Sequence, residues 1–70
     1  MDLQQRMADW LMHAKGNRRR AHEYKRWALD YRAAGNDRRF YECRAQSDRS
    51  WRLAWQALNE AKLNRELLDV

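Results

Sequence analysis

The sequence predicts an all-α protein, an antiparallel helical hairpin of two long helices that dimerises into a four-helix bundle. Three observations predict it. The 70 residues contain no proline and only two glycines, so little in the chain interrupts a helix. Apolar residues recur at alternating spacings of four and three in both halves, as in a coiled coil. A turn signal, Gly35-Asn36-Asp37, stands at the middle of the chain.

The first predicted helix covers about residues 2–34. Asp2 is its candidate N-cap, because a short side-chain acceptor satisfies free amides of the first turn. The heptad phase is the same on both sides of Gly16-Asn17, whereas a turn there would usually shift it. We therefore predict one helix with a possible kink at Gly16-Asn17, and the alternative is a three-segment protein that breaks there. Asn17 falls on the apolar stripe, where a buried asparagine fixes the register of a helix pair.

The turn is predicted at residues 35–37 and the second helix at about 38–68, so that residues 1–70 form a single domain. Glycine commonly ends a helix, and asparagine or aspartate commonly begins the next. The second arm keeps the same heptad alternation, although arginine occupies two of its slots. Ser47-Asp48 offers another N-cap, at which the second helix could bend.

Residues on the two predicted stripes separate by size. A column of small residues in each arm would let the helices approach closely; its members are Ala14, Ala21, Ala28, Ser47, Ala54 and Ala61. We expect the large residues to project together to one side of the hairpin, where a second copy would cover them. These predicted core and dimer residues are Leu3, Trp10, Tyr24, Tyr31, Trp51, Leu58 and Leu68.

This pattern of a short helical hairpin with a small column and a large column resembles the plasmid RNA-regulating protein Rop. The resemblance covers the whole length as an architecture, with no shared motif, and it assigns no residue. It implies a helical dimer that binds RNA. In size and style the chain is also similar to accessory proteins encoded by phages or mobile elements, which bind host factors.

The chain has a net charge of +5, and its basic residues are concentrated in the middle of the sequence. Twelve of the fifteen basic residues are arginine. Arg18, Lys25 and Arg32 lie seven apart, with Arg19 and Arg26 in the adjacent column, so they form a stripe about 20 Å long. Arginine favours carboxylate or phosphate partners, because its guanidinium binds both through two parallel hydrogen bonds. The predicted partner-binding residues are Arg18, Arg19, Lys25, Arg26, Trp27, Arg32, Arg38, Arg39 and Tyr41.

The sequence holds no pattern typical of catalysis or of a cofactor site. His13 and His22 lie nine apart, on opposite sides of a helix, and cannot share a metal. Cys43 excludes an internal disulfide because it is the only cysteine, and no third group accompanies it as a nucleophile. We therefore expect no enzyme, no cofactor and no metal.

Three functions are considered. The least favoured is a helix that lies on a membrane surface, because the large apolar residues are better used in a core. The favoured function is an inhibitor or adaptor that docks on an acidic surface of a larger host protein. The alternative is a helical dimer that binds RNA or DNA, which the net charge and the sequence pI of about 10.0 favour. The interleaved acids, including Glu23, Asp30 and Asp48, argue for the protein partner. We expect neither a transmembrane span nor a signal peptide, and hence a cytoplasmic protein.

Overall fold

The computed structural model describes residues 2–69 as two helices, α1 at Leu3–Ala33 and α2 at Asp37–Leu68. The helices pack side by side as an antiparallel hairpin whose Cα atoms span 54 × 14 × 13 Å. This confirms the predicted helical hairpin. Helix α1 runs through Gly16-Asn17 without a break, so the three-segment alternative is wrong. Helix α2 likewise continues through Ser47-Asp48.

Local side-chain chemistry fixes both ends of the turn and the start of α1. Asp2 Oδ1 accepts a hydrogen bond from the Gln5 amide at 2.7 Å, as expected of an N-cap. Asn36 Oδ1 accepts one from the Arg39 amide at 3.2 Å and caps α2. Gly35 has φ +76°, in the left-handed region, and this geometry lets the Asn36 amide donate to the Tyr31 carbonyl at 2.8 Å.

The two glycines give a matched test of this turn. Gly35→Ala should lower the free energy of unfolding by about 1–2 kcal/mol, because alanine is strained at positive φ. Gly16→Ala should raise it by about 0.5–1 kcal/mol, because Gly16 is within a helix and an added Cβ, apart from its own stretch of helix, meets no atom within 4 Å. Thermal or urea unfolding followed by circular dichroism measures both, and shifts in the same direction would contradict the assigned turn.

The interface between the helices consists of small side chains. The six buried hydrophobic residues are all alanines, and among the described residues no large side chain is fully buried. The predicted small column is buried in full: Ala14, Ala21, Ala28, Ser47, Ala54 and Ala61. Each buried methyl contributes only about 0.8 kcal/mol, whereas a buried leucine would contribute about 1.5–3 kcal/mol. The hairpin alone therefore gains little from hydrophobic burial.

A second buried column on α2 was not predicted. Ser50, Ala57 and Asn64 are buried beside Ser47, Ala54 and Ala61. Small side chains predominate in both columns, and this lets α1 pack closely against α2. Ser47 shows the approach directly, since its hydroxyl donates to the Ala21 carbonyl on the facing helix at 2.9 Å. Asn17, predicted to be buried, is only half-buried, and Asn64 is the buried asparagine.

Neither α1 nor α2, which together hold nearly all of residues 2–69, combines the length and the apolar character needed to cross a membrane.

Candidate functional site

The large residues of the two helices lie on opposite faces of the hairpin. Trp51 and Leu58 of α2 line a groove together with Leu11, Arg18 and other residues of α1. Trp10 of α1 lines a different groove, with Glu60 and Asn64 of α2. The expectation that the large columns project together to one side is therefore wrong. The hairpin has two distinct exposed faces, which differ in charge.

The first of these, here the basic groove face, carries three consecutive grooves between the helices. The groove near the turn is lined by Lys25, Arg32, Phe40, Arg44 and Trp51, among others. The middle groove contains Lys15, Arg18, His22 and Trp55, and the last contains Met7, Leu58, Lys62 and Arg65. The groove near the turn shares Trp51 with the middle groove, and the middle groove shares Leu11 and Leu58 with the last. The three grooves therefore follow one another end to end as a channel along the hairpin.

Positive charge dominates the basic groove face. Seven basic residues line its grooves: Lys15, Arg18, Lys25, Arg32, Arg44, Lys62 and Arg65. Only two acidic residues do so, Asp48 and Asp69. None of the seven basic side chains forms an ion pair with another described residue, because both ion pairs found among residues 2–69 involve Glu42. Their charges are therefore available to a partner.

Aromatic and aliphatic side chains lie between these charges. Trp51 packs edge-on against His22 with 5.2 Å between ring centroids, and the Arg32 guanidinium lies 5.5 Å from the centre of the Phe40 ring. Trp55 is 62% exposed and Leu11 is 46% exposed. The face thus combines exposed apolar anchors with arginines, the residue types on which binding energy at protein interfaces concentrates.

The structure brings together only part of the predicted binding set. Arg18, Lys25 and Arg32 line the basic groove face, whereas Arg19 and Arg26 line none of its grooves. Trp27 packs against Tyr24 with 5.4 Å between ring centroids. Trp27 is two heptads from His13, which lines the groove on the other face of the hairpin, so Trp27 lies away from the basic groove face.

The remaining predicted binding residues lie at the start of α2. Arg38 and Arg39 each bond to Glu42 at 3.3 Å, and these pairs partly satisfy their charge. Tyr41 is exposed and stacks edge-on against Phe40 with 5.1 Å between ring centroids. This cluster adjoins the groove near the turn through Phe40.

Several residues of the basic groove face were not predicted to bind. They are Leu11, Lys15, Arg44, Trp55, Lys62 and Arg65. Trp51, Leu58 and Leu68 were predicted to lie in a dimer core instead, but they line these grooves. A signal in the sequence could have identified the α2 part of this face. A column of apolar and basic residues recurs every seven residues along one side of α2, at Arg44, Trp51, Leu58 and Arg65.

The opposite side, here the Trp10 face, carries charges of both signs. Its groove is lined by Arg6, Asp9, Trp10, His13, Glu60 and Asn64. Seven-residue spacing continues the face from Trp10 to Leu3, Tyr24 and Tyr31, and from Glu60 to Leu53 and Leu67. Of its apolar residues, Leu3 and Tyr24 are half-buried, whereas Trp10, Tyr31, Leu53 and Leu67 are exposed.

No protein-family model matches this chain. The comparisons with curated proteins and with solved structures also find no match.

Among residues 2–69, no group of three or more histidine, cysteine, aspartate or glutamate residues is placed to hold a metal ion. Cys43 is a free, half-buried thiol on α2. The grooves between the helices present a charged, partly apolar surface.

Proposed function

We propose that this protein is a small non-enzymatic binding protein, an inhibitor or adaptor, that docks on an acidic segment of a larger protein through the basic groove face. The observation that supports it best is the excess of seven basic over two acidic residues along grooves that also expose tryptophan and leucine. A surface of this sign attracts acidic partners and accelerates their association.

The shape and apolar content of the channel favour an amphipathic helix as the docked segment. A helix that lies in a groove between two helices inserts apolar residues at spacings of three and four. Leu11, Trp51 and Leu58 would contact that apolar stripe, and the flanking Arg18 and Lys25 would pair with carboxylates on either side of it. Binding would cover the exposed apolar area, which a phosphate backbone cannot do.

Nucleic acid is the second candidate, because most acids lie away from the basic groove face. Glu23 and Asp30, which had argued against a phosphate partner, line none of its grooves, and only Asp48 and Asp69 would oppose phosphates there. Exposed Trp55 could also stack on an unpaired base. The exposed leucines remain unexplained by this partner, so it ranks second.

Two labelled probes distinguish these functions by fluorescence anisotropy at low and physiological salt. One is a peptide of about 18 residues, five helical turns, with leucine on one side and glutamate on the other. The other is an RNA of random sequence, tested as a duplex and as a single strand. We expect the peptide to bind at physiological salt and a scrambled peptide of equal composition to bind far more weakly. Tight RNA binding that collapses with salt, without peptide binding, would replace the proposal with the second candidate.

A charge-matched pair of variants locates the binding surface. Arg18→Glu with Lys25→Glu should weaken peptide binding by about tenfold or more, since both residues line the grooves. Arg19→Glu with Arg26→Glu changes the net charge equally but lies outside the grooves, so it should have a small effect that salt removes. Equal losses for the two variants would mean that only net charge matters, and would contradict docking in the channel.

A further inference from the structure

The hairpin exposes more surface than a compact monomer of the same mass would. Its accessible surface is 5978 Å², whereas a compact monomer of 8.6 kDa exposes about 4,700 Å². The buried side chains are alanines, serines and one asparagine, while Trp10, Tyr31, Leu53 and Leu67 of the Trp10 face are 36–59% exposed. A face of this kind is stabilised when another surface covers it.

We propose that a second copy of this chain covers the Trp10 face, in a two-fold symmetric dimer that leaves both basic groove faces free. The dimer predicted from the sequence used both large columns at once, which their opposite placement prevents. One face of a hairpin whose Cα atoms span 54 × 14 Å has a projected area of about 750 Å². Covering the whole face would therefore bury an accessible area comparable to the roughly 800 Å² per partner of stable interfaces.

Charge determines which face the second copy covers. A two-fold interface brings the same patch of both subunits together. Self-association through the basic groove face would therefore oppose seven basic residues with the same seven, and only Asp48 and Asp69 could compensate. Like charges placed together at an interface are strongly unfavourable.

The groove of the Trp10 face carries charges of both signs, so it can pair with the same groove of a second copy. The groove holds Arg6 together with Asp9 and Glu60, so either subunit supplies both a cation and carboxylates. The apolar residues of this face run the length of the hairpin, from Leu3 at one end to Tyr31 near the turn. This inference does not depend on the proposed function, because it concerns the face that the proposed partner does not use.

Two leucines of α2 provide a matched test. Leu53 on the Trp10 face and Leu58 on the basic groove face are 41% and 40% exposed, and glutamine suits a helix at both positions. Sedimentation equilibrium of the full chain should give about twice 8.6 kDa for the parent. Leu58→Gln should keep that mass, and Leu53→Gln should raise the dimer dissociation constant by about tenfold or more, since the change occurs twice in the interface.

Circular dichroism at the same concentrations measures helical content, and so distinguishes a variant that no longer dimerises from one that no longer folds. Tyr31→Gln, on the same face but on α1, should also weaken the dimer while helical content persists at high protein concentration. The inference is overturned if the parent is a monomer with a cooperative melt independent of concentration. It is equally overturned if Leu58→Gln dissociates the dimer as much as Leu53→Gln, or if neither does.

Discussion

Replacing Ala21 or Ala54 with leucine should disrupt the hairpin. Ala21 is fully buried and Ala54 is 3% exposed, at the line where the helices come closest. The short Ser47 side chain reaches the Ala21 carbonyl on the facing helix at 2.9 Å, so the helices are close here and a leucine would have to push them apart. We expect each variant to lower the free energy of unfolding by about 1–3 kcal/mol, and the double variant to lower it further.

Thermal melts followed by circular dichroism measure the effect, at about 4–8 °C for each kcal/mol in a domain of this size. Ala45→Leu and Ala33→Leu are the controls, because both alanines are exposed on the same two helices. Leucine has nearly the helix propensity of alanine, so both controls should melt close to the parent. Equal melting temperatures for all variants would show that the helices do not meet along the alanine column.

Replacing Asn64 with alanine should stabilise the protein. Asn64 is 8% exposed, and its Nδ2 is buried with no hydrogen-bond partner among the described residues. A buried donor left unpaired costs about 1–3 kcal/mol, and alanine removes it while matching Ala57 and Ala61 on the same side of α2. We expect the free energy of unfolding to rise by about that amount.

Asn59→Ala separates this effect from helix propensity. Asn59 is exposed on the same helix, so its replacement should gain only the propensity difference, about 0.5 kcal/mol. Urea unfolding of the two variants beside the parent gives the comparison. A loss of stability in Asn64→Ala would mean that the amide does have a partner, such as a bound water.

Much of the fold could be predicted because local signals agree with one another. The heptad spacing, the Asp2 and Asn36 caps and the glycine at the turn all specify two long helices, and the structure has them within one or two residues of the predicted ends. The small column was also predictable, since alanine recurs every seven residues on α1. These features depend only on residues close in sequence or on one repeated spacing.

The relation between the faces could not be predicted in the same way. Two antiparallel helices can pair with α2 on either side of α1, and the hand of the pairing decides which columns become neighbours. In the structure, Trp51 lies beside His22 and the Arg18 column, with Trp10 on the opposite side. The sequence pattern specifies which residues share a column on one helix, but not which column of the other helix lies next to it.

Only the α1 half of the candidate site was therefore predicted from the sequence. Arg18, Lys25 and Arg32 are a column of α1 that seven-residue spacing identifies without knowledge of the pairing. Arg19 and Arg26 differ from them by about 100° around the helix, and only the position of α2 separates the two sets. The α2 half of the channel, with Trp55 and Arg44, depends on that same position.

The uniform size of the buried residues has a consequence for how the helices are aligned lengthwise. Where large and small side chains interlock, sliding one helix along the other creates clashes and voids. Here alanine and serine repeat every seven residues on α2, so a slip of one heptad would again oppose small residues with small residues. Shape complementarity then discriminates weakly between alignments. The short Gly35 turn, the hydrogen bond from Ser47 to Ala21 and the contact of His22 with Trp51 therefore favour a single alignment.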